Sequence, residues 1–221
     1  MTEKNNKIIE EIKHPETTGY VSVSDKLKLN FDISPQDFVS YAEKDLELDY
    51  NHNIINALAN SKRALDCQLD SLMIAFGYYK ISQKQQWSFP KKLDLITELG
   101  LIAPRVLKKI NKQRNLLEHQ FIRPEKEKVE DFIDITMLFI ASTDNHIFNF
   151  KFETNLKNEK FNKYYRIKND YENSTIKIST NRYDGKLLGN LDSLEILEKF
   201  ELQPNEKEYT KVLKIFLDLT K

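Results

Sequence analysis

Asn145-His146-Ile147-Phe148-Asn149-Phe150-Lys151-Phe152-Glu153 is where the hydrophobic period of this chain changes. From Phe148 onward, apolar residues alternate with Asn149, Lys151 and Glu153, the pattern of a half-buried strand. Tyr165-Arg166-Ile167-Lys168 and Ile176-Lys177-Ile178 repeat it. Asp170 to Ser174 reads as the turn between them, and Asp184-Gly185 as a further turn signal. From Asn205 to Leu219 the spacing of Tyr209, Val212, Leu213 and Phe216 is helical. Residues 145–221 therefore read as a small α+β module with an antiparallel sheet.

Before Asn145 the period is that of helices. Ser34-Pro35-Gln36-Asp37 combines a capping serine, a proline suited to the first helical position and an acid at the third, which predicts a helix to about Leu48. A long helix is expected from about Asn53 to Tyr79, with Ile54, Leu58, Leu65, Leu69, Leu72 and Phe76 on one stripe. Ser82 to Pro90 reads as a loop packed down by Trp87 and Phe89. Lys91 to Leu99 reads as a short helix closed by Gly100. Pro104 starts a helix running to about Phe121. After Pro124 comes a last helix, Glu125 to Ser142, whose core face is Val129, Phe132, Ile133, Thr136, Met137 and Ile140. Residues 34–144 thus read as a helical bundle with mostly short connections. Residues 1–33 are polar and read as a partly loose N-terminal arm, with a short strand at Lys26 to Phe31. The expected class is mainly α: a bundle followed by a small α+β module.

Composition narrows the function classes. The 221 residues suffice for a substantial core without covalent staples. The 34 basic and 34 acidic side chains balance, which argues against nonspecific coating of nucleic acid. Cys67 is the single cysteine, so no internal disulfide forms, and no Cys/His cluster has zinc-ligand spacing. With five glycines there is no Gly-rich phosphate loop or dinucleotide fingerprint. No metal or cofactor is expected. The polar start lacks the apolar core of a signal peptide, and no apolar run is long enough for a bilayer, so a cytoplasmic protein without membrane contact is expected.

One short stretch carries chemistry: Arg114-Asn115-Leu116-Leu117-Glu118-His119. At about 100° per residue, Val106, Ile110, Leu117 and Phe121 cluster toward a core, with Arg114 at the border. Arg114 and Glu118 are four apart, as are Asn115 and His119, so the four polar groups form one band. Charge is segregated around it: Arg105 to Lys128 holds eight Lys/Arg and three Glu, while Asp32 to Asp49 holds six acids and one lysine. Lys108, Lys109 and Lys112 form a row suited to phosphate, or a solvated face. By spacing alone, Arg-x-x-x-Glu is a common helical pair and a histidine on a polar face is ordinarily solvated. Asp66 and Asp70 on the long helix, His52, His146, Cys67 and Trp87 read as structural or exposed.

Arg114-Asn115-x-x-x-His119 resembles the Arg-x(4–6)-His signature of the HEPN superfamily (higher eukaryotes and prokaryotes nucleotide-binding domain). The polar residue after the arginine, the position near a helix end, the amphipathic helix that follows and the earlier helix with Asn56-Ala57-Leu58-Ala59-Asn60-Ser61-Lys62-Arg63-Ala64-Leu65 agree with that pattern. The resemblance covers about residues 34–144. It implies a metal-independent endoribonuclease, acting as a homodimer in which two motifs meet, that leaves a 2′,3′-cyclic phosphate. Carried over, Arg114 binds the scissile phosphate, His119 is general acid or base, Asn115 orients the phosphate or the histidine, and Glu118 supports Arg114. Toxin–antitoxin or phage-defence roles are implied too, with a cognate antitoxin or nucleotidyltransferase as partner. Some such domains bind nucleotides, RNA or proteins without cleaving, and that alternative stays open.

Overall fold

The computed structural model describes residues 2–101, 112, 123–183, 185 and 194–219. They form two compact units. One comprises Met1–Lys26, Phe76–Ile81 and Asn149–Lys221; the other comprises Leu27–Ala75 and Ser82–Phe148. No helix among the described residues is long and apolar enough to cross a membrane.

The first unit is built on a five-stranded antiparallel sheet in the order β1-β2-β3-β4-β5. Its strands are β1 (Thr18–Asp25), β2 (Phe150–Asn158), β3 (Lys163–Asp170), β4 (Thr175–Arg182) and β5 (Ile196–Leu202). The β3–β4 hairpin closes at Asp170 and Thr175, where the sequence placed its turn. Residues directly opposite share a face. One face therefore carries Leu156, Tyr165 and Thr180 in one row, and Ile167 and Ile178 in the next, all buried. Helix α1 (Glu3–Ile12) buries Ile8, Ile9 and Ile12. Burying three isoleucines contributes roughly 5–9 kcal/mol before entropy is counted. The buried Glu11 carboxylate is satisfied by Lys163 at 2.8 Å and the Tyr165 hydroxyl at 3.0 Å, which ties α1 to the same face. Burial and the Glu11 charge hold the Tyr165 proton well above the usual tyrosine range.

The mainly α class does not hold. The sheet draws its first strand from the N-terminal stretch read as an arm, and with its helices it forms a unit of its own. The strand read at Lys26 to Phe31 is instead irregular, with β1 immediately before it. The physical reason is that β1, among the described residues, is an edge strand paired only with β2 and exposed at every described side chain. Such a strand needs no apolar alternation, so a pattern search passes over it.

The second unit contains α2 (Pro35–Glu47), α3 (Asn53–Ala75), α5 (Phe89–Glu98), α6 (Lys126–Thr143) and the one-turn α7 (Asn145–Phe148). The division between units falls within α4 (Tyr79–Lys84). Helix α2 starts as its sequence implies: the Ser34 hydroxyl accepts the Asp37 N–H, and Asp37 accepts the Ser34 N–H. Gly100, at φ +74°, closes α5, its N–H donating to the Thr97 carbonyl. The long helix stops at Ala75 because Gly77 takes φ +73°. The stretch read as a loop at Ser82 to Pro90 is mostly used by the end of α4 and the start of α5. Met137 is 42% exposed and not part of the core, because the buried stripe of α6 steps from Thr136 to Phe139 and passes it.

Candidate functional site

Arg114, Asn115, Glu118, His119, Lys108 and Lys109 lie outside the described residues. Lys112 is helical and exposed. The chain that carries them leaves α5 at Gly100 and returns at Pro124, one residue before the N-cap of α6. What the structure defines is the helical frame that flanks this stretch in sequence.

The frame is registered by polar contacts in its interior. The Ser61 hydroxyl of α3 lies 3.0 Å from Thr136 Oγ1 of α6, and Gln68 Nε2 donates to Thr143 Oγ1 at 2.8 Å. All four side chains are fully buried. Both pairs are 75 residues apart, so α3 and α6 run parallel and meet again after seven residues. Each threonine donates its own proton to the carbonyl one turn back, Thr136 to Phe132 and Thr143 to Phe139, both at 2.8 Å. Each therefore accepts from α3, which makes Ser61 the donor in its pair.

Asp144, the C-cap of α6, completes this network. Gln36 Nε2 reaches both carboxylate oxygens, at 3.1 and 2.9 Å, and Gln68 Nε2 reaches Oδ1 at 3.2 Å. Burial raises the Asp144 pKa, against the two amides that favour the anion. Gln68 Oε1 is buried without a hydrogen-bond partner. Local sequence patterns do not single out this cluster. Its available signal was the seven-residue repeat of polar positions, Ser61 and Gln68 against Thr136 and Thr143, inside otherwise apolar stripes.

The other candidates resolve as structure. Asp70 pairs with Lys92 of α5. Cys67 points its thiol at the Ile33 carbonyl, 3.6 Å away. Burial, with Asp70, Asp37 and Asp66 nearby, pushes that thiol up to about 11, the reverse of an activated nucleophile. Trp87 is half-buried with the Lys91 ammonium over its ring at 4.4 Å. His52 is exposed and His146 half-buried. Among the described residues, no three His, Cys, Asp or Glu side chains gather as a metal-binding group. Compared with protein-family models, curated proteins and solved structures, the chain finds no match.

Proposed function

We propose that the chain is a HEPN-type endoribonuclease that works without a metal ion and leaves a 2′,3′-cyclic phosphate. The observation that carries this reading is Arg114-Asn115-x-x-x-His119 in the most basic stretch of the chain, between helices α5 and α6. In the reaction, the ribose 2′-oxygen attacks the adjacent phosphorus and the 5′-oxygen leaves. Arg114 offsets the charge that builds on the phosphoryl oxygens. His119 takes the 2′-hydroxyl proton or delivers one to the leaving oxygen. Asn115 orients the phosphate or the imidazole, and Glu118, four residues after Arg114 in the sequence, orients the guanidinium. Two copies of the motif meet in a homodimer, and a cognate antitoxin or nucleotidyltransferase restrains the activity in the cell.

A second reading has its own support. Glu118 places a negative charge beside the phosphate site, and the chain has no net positive charge. Both suit a dimeric module that binds nucleotide, RNA or protein without cleaving it. Incubating purified protein with total RNA in EDTA separates the two. The nuclease reading expects cyclic-phosphate ends, lost in Arg114→Ala and His119→Ala with the circular dichroism unchanged. Cleavage that survives His119→Ala would refute the assignment of the histidine. Uncut tRNA, mRNA and rRNA would favour the binding module.

A further inference from the structure

We propose that Trp87, in the turn between α4 and α5, is a stacking platform for one nucleobase, with Lys91 and Lys84 placed for the phosphate attached to it. The ligand class is a nucleoside 5′-phosphate, either free or as one unit of an RNA strand. The inference rests on the reading of this chain as one that cuts or binds RNA or nucleotide, and it names a base-binding point outside the Arg114–His119 stretch.

The turn builds the platform. Trp87 N–H donates to the Ser82 carbonyl at 2.9 Å and Gln86 N–H to the Gln83 carbonyl at 3.1 Å, the two bonds of a Schellman motif that ends α4, with Gln86 at φ +50°. The indole edge is tied as well, its Nε1 donating to Gln85 Oε1 at 2.9 Å. Backbone and ring edge are thus both held before any ligand arrives, and a ring held in place loses little conformational freedom on binding. Residues 82–91 all belong to one compact unit. The ring is half-buried, and the exposed Lys91 places its ammonium 4.4 Å from the ring centroid.

In the free chain the Trp87–Lys91 contact is structural, but it is readily exchanged. A cation over an exposed ring is a weak contact and a stacked base a stronger one, so a base takes the ring face and the ammonium moves to the phosphate. The charge of the turn suits an anion. Residues 71–93 hold Lys80, Lys84, Lys91 and Lys92 and no Asp or Glu. Lys92 is taken by Asp70. Lys84, Gln86 and Ser88 are exposed, and among the described residues their side chains make no hydrogen bond or ion pair. Ser88 stands at the N-cap of α5 without a side-chain capping bond, which leaves its hydroxyl for a ligand. The turn has no exposed large apolar side chain. A protein partner anchored on Trp87 would need such neighbours, whereas a flat, polar, anionic ligand needs only a ring, amides and cations.

Trp87 is the only tryptophan of the chain, so the intrinsic fluorescence of the whole protein reports on this ring alone. The test titrates the full chain carrying His119→Ala, so that RNA is not consumed, with adenosine 5′-monophosphate, a short oligoadenylate, ribose 5-phosphate and polyglutamate, each corrected for absorbance against free tryptophan. Saturable quenching by the mononucleotide, the oligoadenylate or both is expected, with none from ribose 5-phosphate or polyglutamate. Quenching by oligoadenylate alone assigns the platform to RNA, and quenching by the mononucleotide alone assigns it to a free nucleotide. By calorimetry, Trp87→Leu should weaken binding of the quenching nucleotide by roughly five- to hundredfold, the range that loss of a stacking ring costs. Lys91→Gln should weaken it by about threefold or more while the quenching persists at saturation, and the exposed Lys44→Gln on α2 should stay within about twofold of the parent. Fluorescence unmoved by both nucleotides, equal quenching by ribose 5-phosphate or polyglutamate, or an affinity unchanged in Trp87→Leu would overturn the platform. Should Trp87→Leu lose its circular dichroism, an affinity unchanged in Lys91→Gln overturns it instead. RNA that stacks on Trp87 yet is never cut by the chain with His119 intact would sink the nuclease reading alone. RNA that is cut while neither nucleotide moves the fluorescence would sink the platform alone.

Discussion

Gly77→Ala should be among the most damaging single-methyl changes in this protein. Gly77 sits at φ +73°, a left-handed conformation that costs an alanine about 1–2 kcal/mol. A Cβ built there would lie 2.2 Å from Tyr209 Oη, and that hydroxyl donates to the Phe76 carbonyl at 2.8 Å. Tyr209 is fully buried on α8 (Lys207–Leu219), its ring edge-on to Tyr78 with centroids 5.2 Å apart, so it has little room to retreat. Breaking the hydrogen bond leaves buried polar groups unmet, for about 1–3 kcal/mol more. The expected loss is about 2–5 kcal/mol, a large share of the 5–15 kcal/mol typical of a folded domain. A double-mutant cycle with Tyr209→Phe isolates the cause. Tyr209→Phe alone should cost about 1–3 kcal/mol. The combined variant loses the hydrogen bond only once and has no hydroxyl to strike, so it should fall short of the sum of the singles by about 1–3 kcal/mol. Urea titration followed by far-ultraviolet circular dichroism measures all four proteins. Additive losses would refute the hydroxyl clash and leave backbone conformation as the whole explanation.

Two further variants probe the helical unit. Burial raises the Asp144 pKa, so the folded chain holds that proton more tightly than the unfolded chain does. Its contribution is then fully present at low pH and fades as pH climbs through the raised pKa, above the ordinary carboxylate value. In Asp144→Asn that fall should be missing, and the stability difference between variant and parent should shift in the variant's favour from pH 3 to pH 7; a difference that moves the other way would contradict the sign. Thr136→Val removes the acceptor for Ser61 inside the core and should cost about 1–3 kcal/mol. Adding Ser61→Ala should bring stability back toward the parent in the same urea titration, and a further drop of full size would show that the two hydroxyls do not act as a pair.

The features that the sequence exposes are those with a local cause. Ser34-Pro35-Gln36-Asp37 makes a helix start from its own hydrogen bonds, Gly100 ends a helix by its own conformation, and Asp170 to Ser174 turns a hairpin whose strands alternate. The features that escaped depend on distant residues. β1 exists because β2, more than a hundred residues on, supplies its ladder. Ile8, Ile9 and Ile12 make a helix of an apparently loose arm only when a sheet face is there to cover them. Gly77 looked like the tail of a long helix and is instead where the chain departs to meet Tyr209. The Arg114–His119 band is local in sequence too, but its reading comes from resemblance, and its residues lie outside the described ones. Lys112 alone of that group has a described position, helical and exposed, which fits a solvated lysine as well as a phosphate contact.

The buried ladder between α3 and α6 bears on why polar side chains occupy an apolar seam at all. Each of its hydrogen bonds adds only about 0.5–1.5 kcal/mol net, comparable to what a well-packed apolar pair would supply there. Its larger effect is on alternatives. The apolar stripes of α3 and α6 would tolerate a slide of one turn, because burial has no direction. Such a slide would separate Ser61 from Thr136 and Gln68 from Thr143 together, leaving two donors stranded in the core at about 1–3 kcal/mol each. The ladder therefore penalises misregister by about 2–6 kcal/mol while contributing modestly to stability. Asp144 acts in the same way at the end of α6, where Gln36 and Gln68 converge on one carboxylate. A frame whose register is fixed at both rungs also fixes where α6 begins, and hence where the chain bearing Arg114 and His119 must rejoin it. Functional precision in this unit would then depend on residues that never touch a substrate.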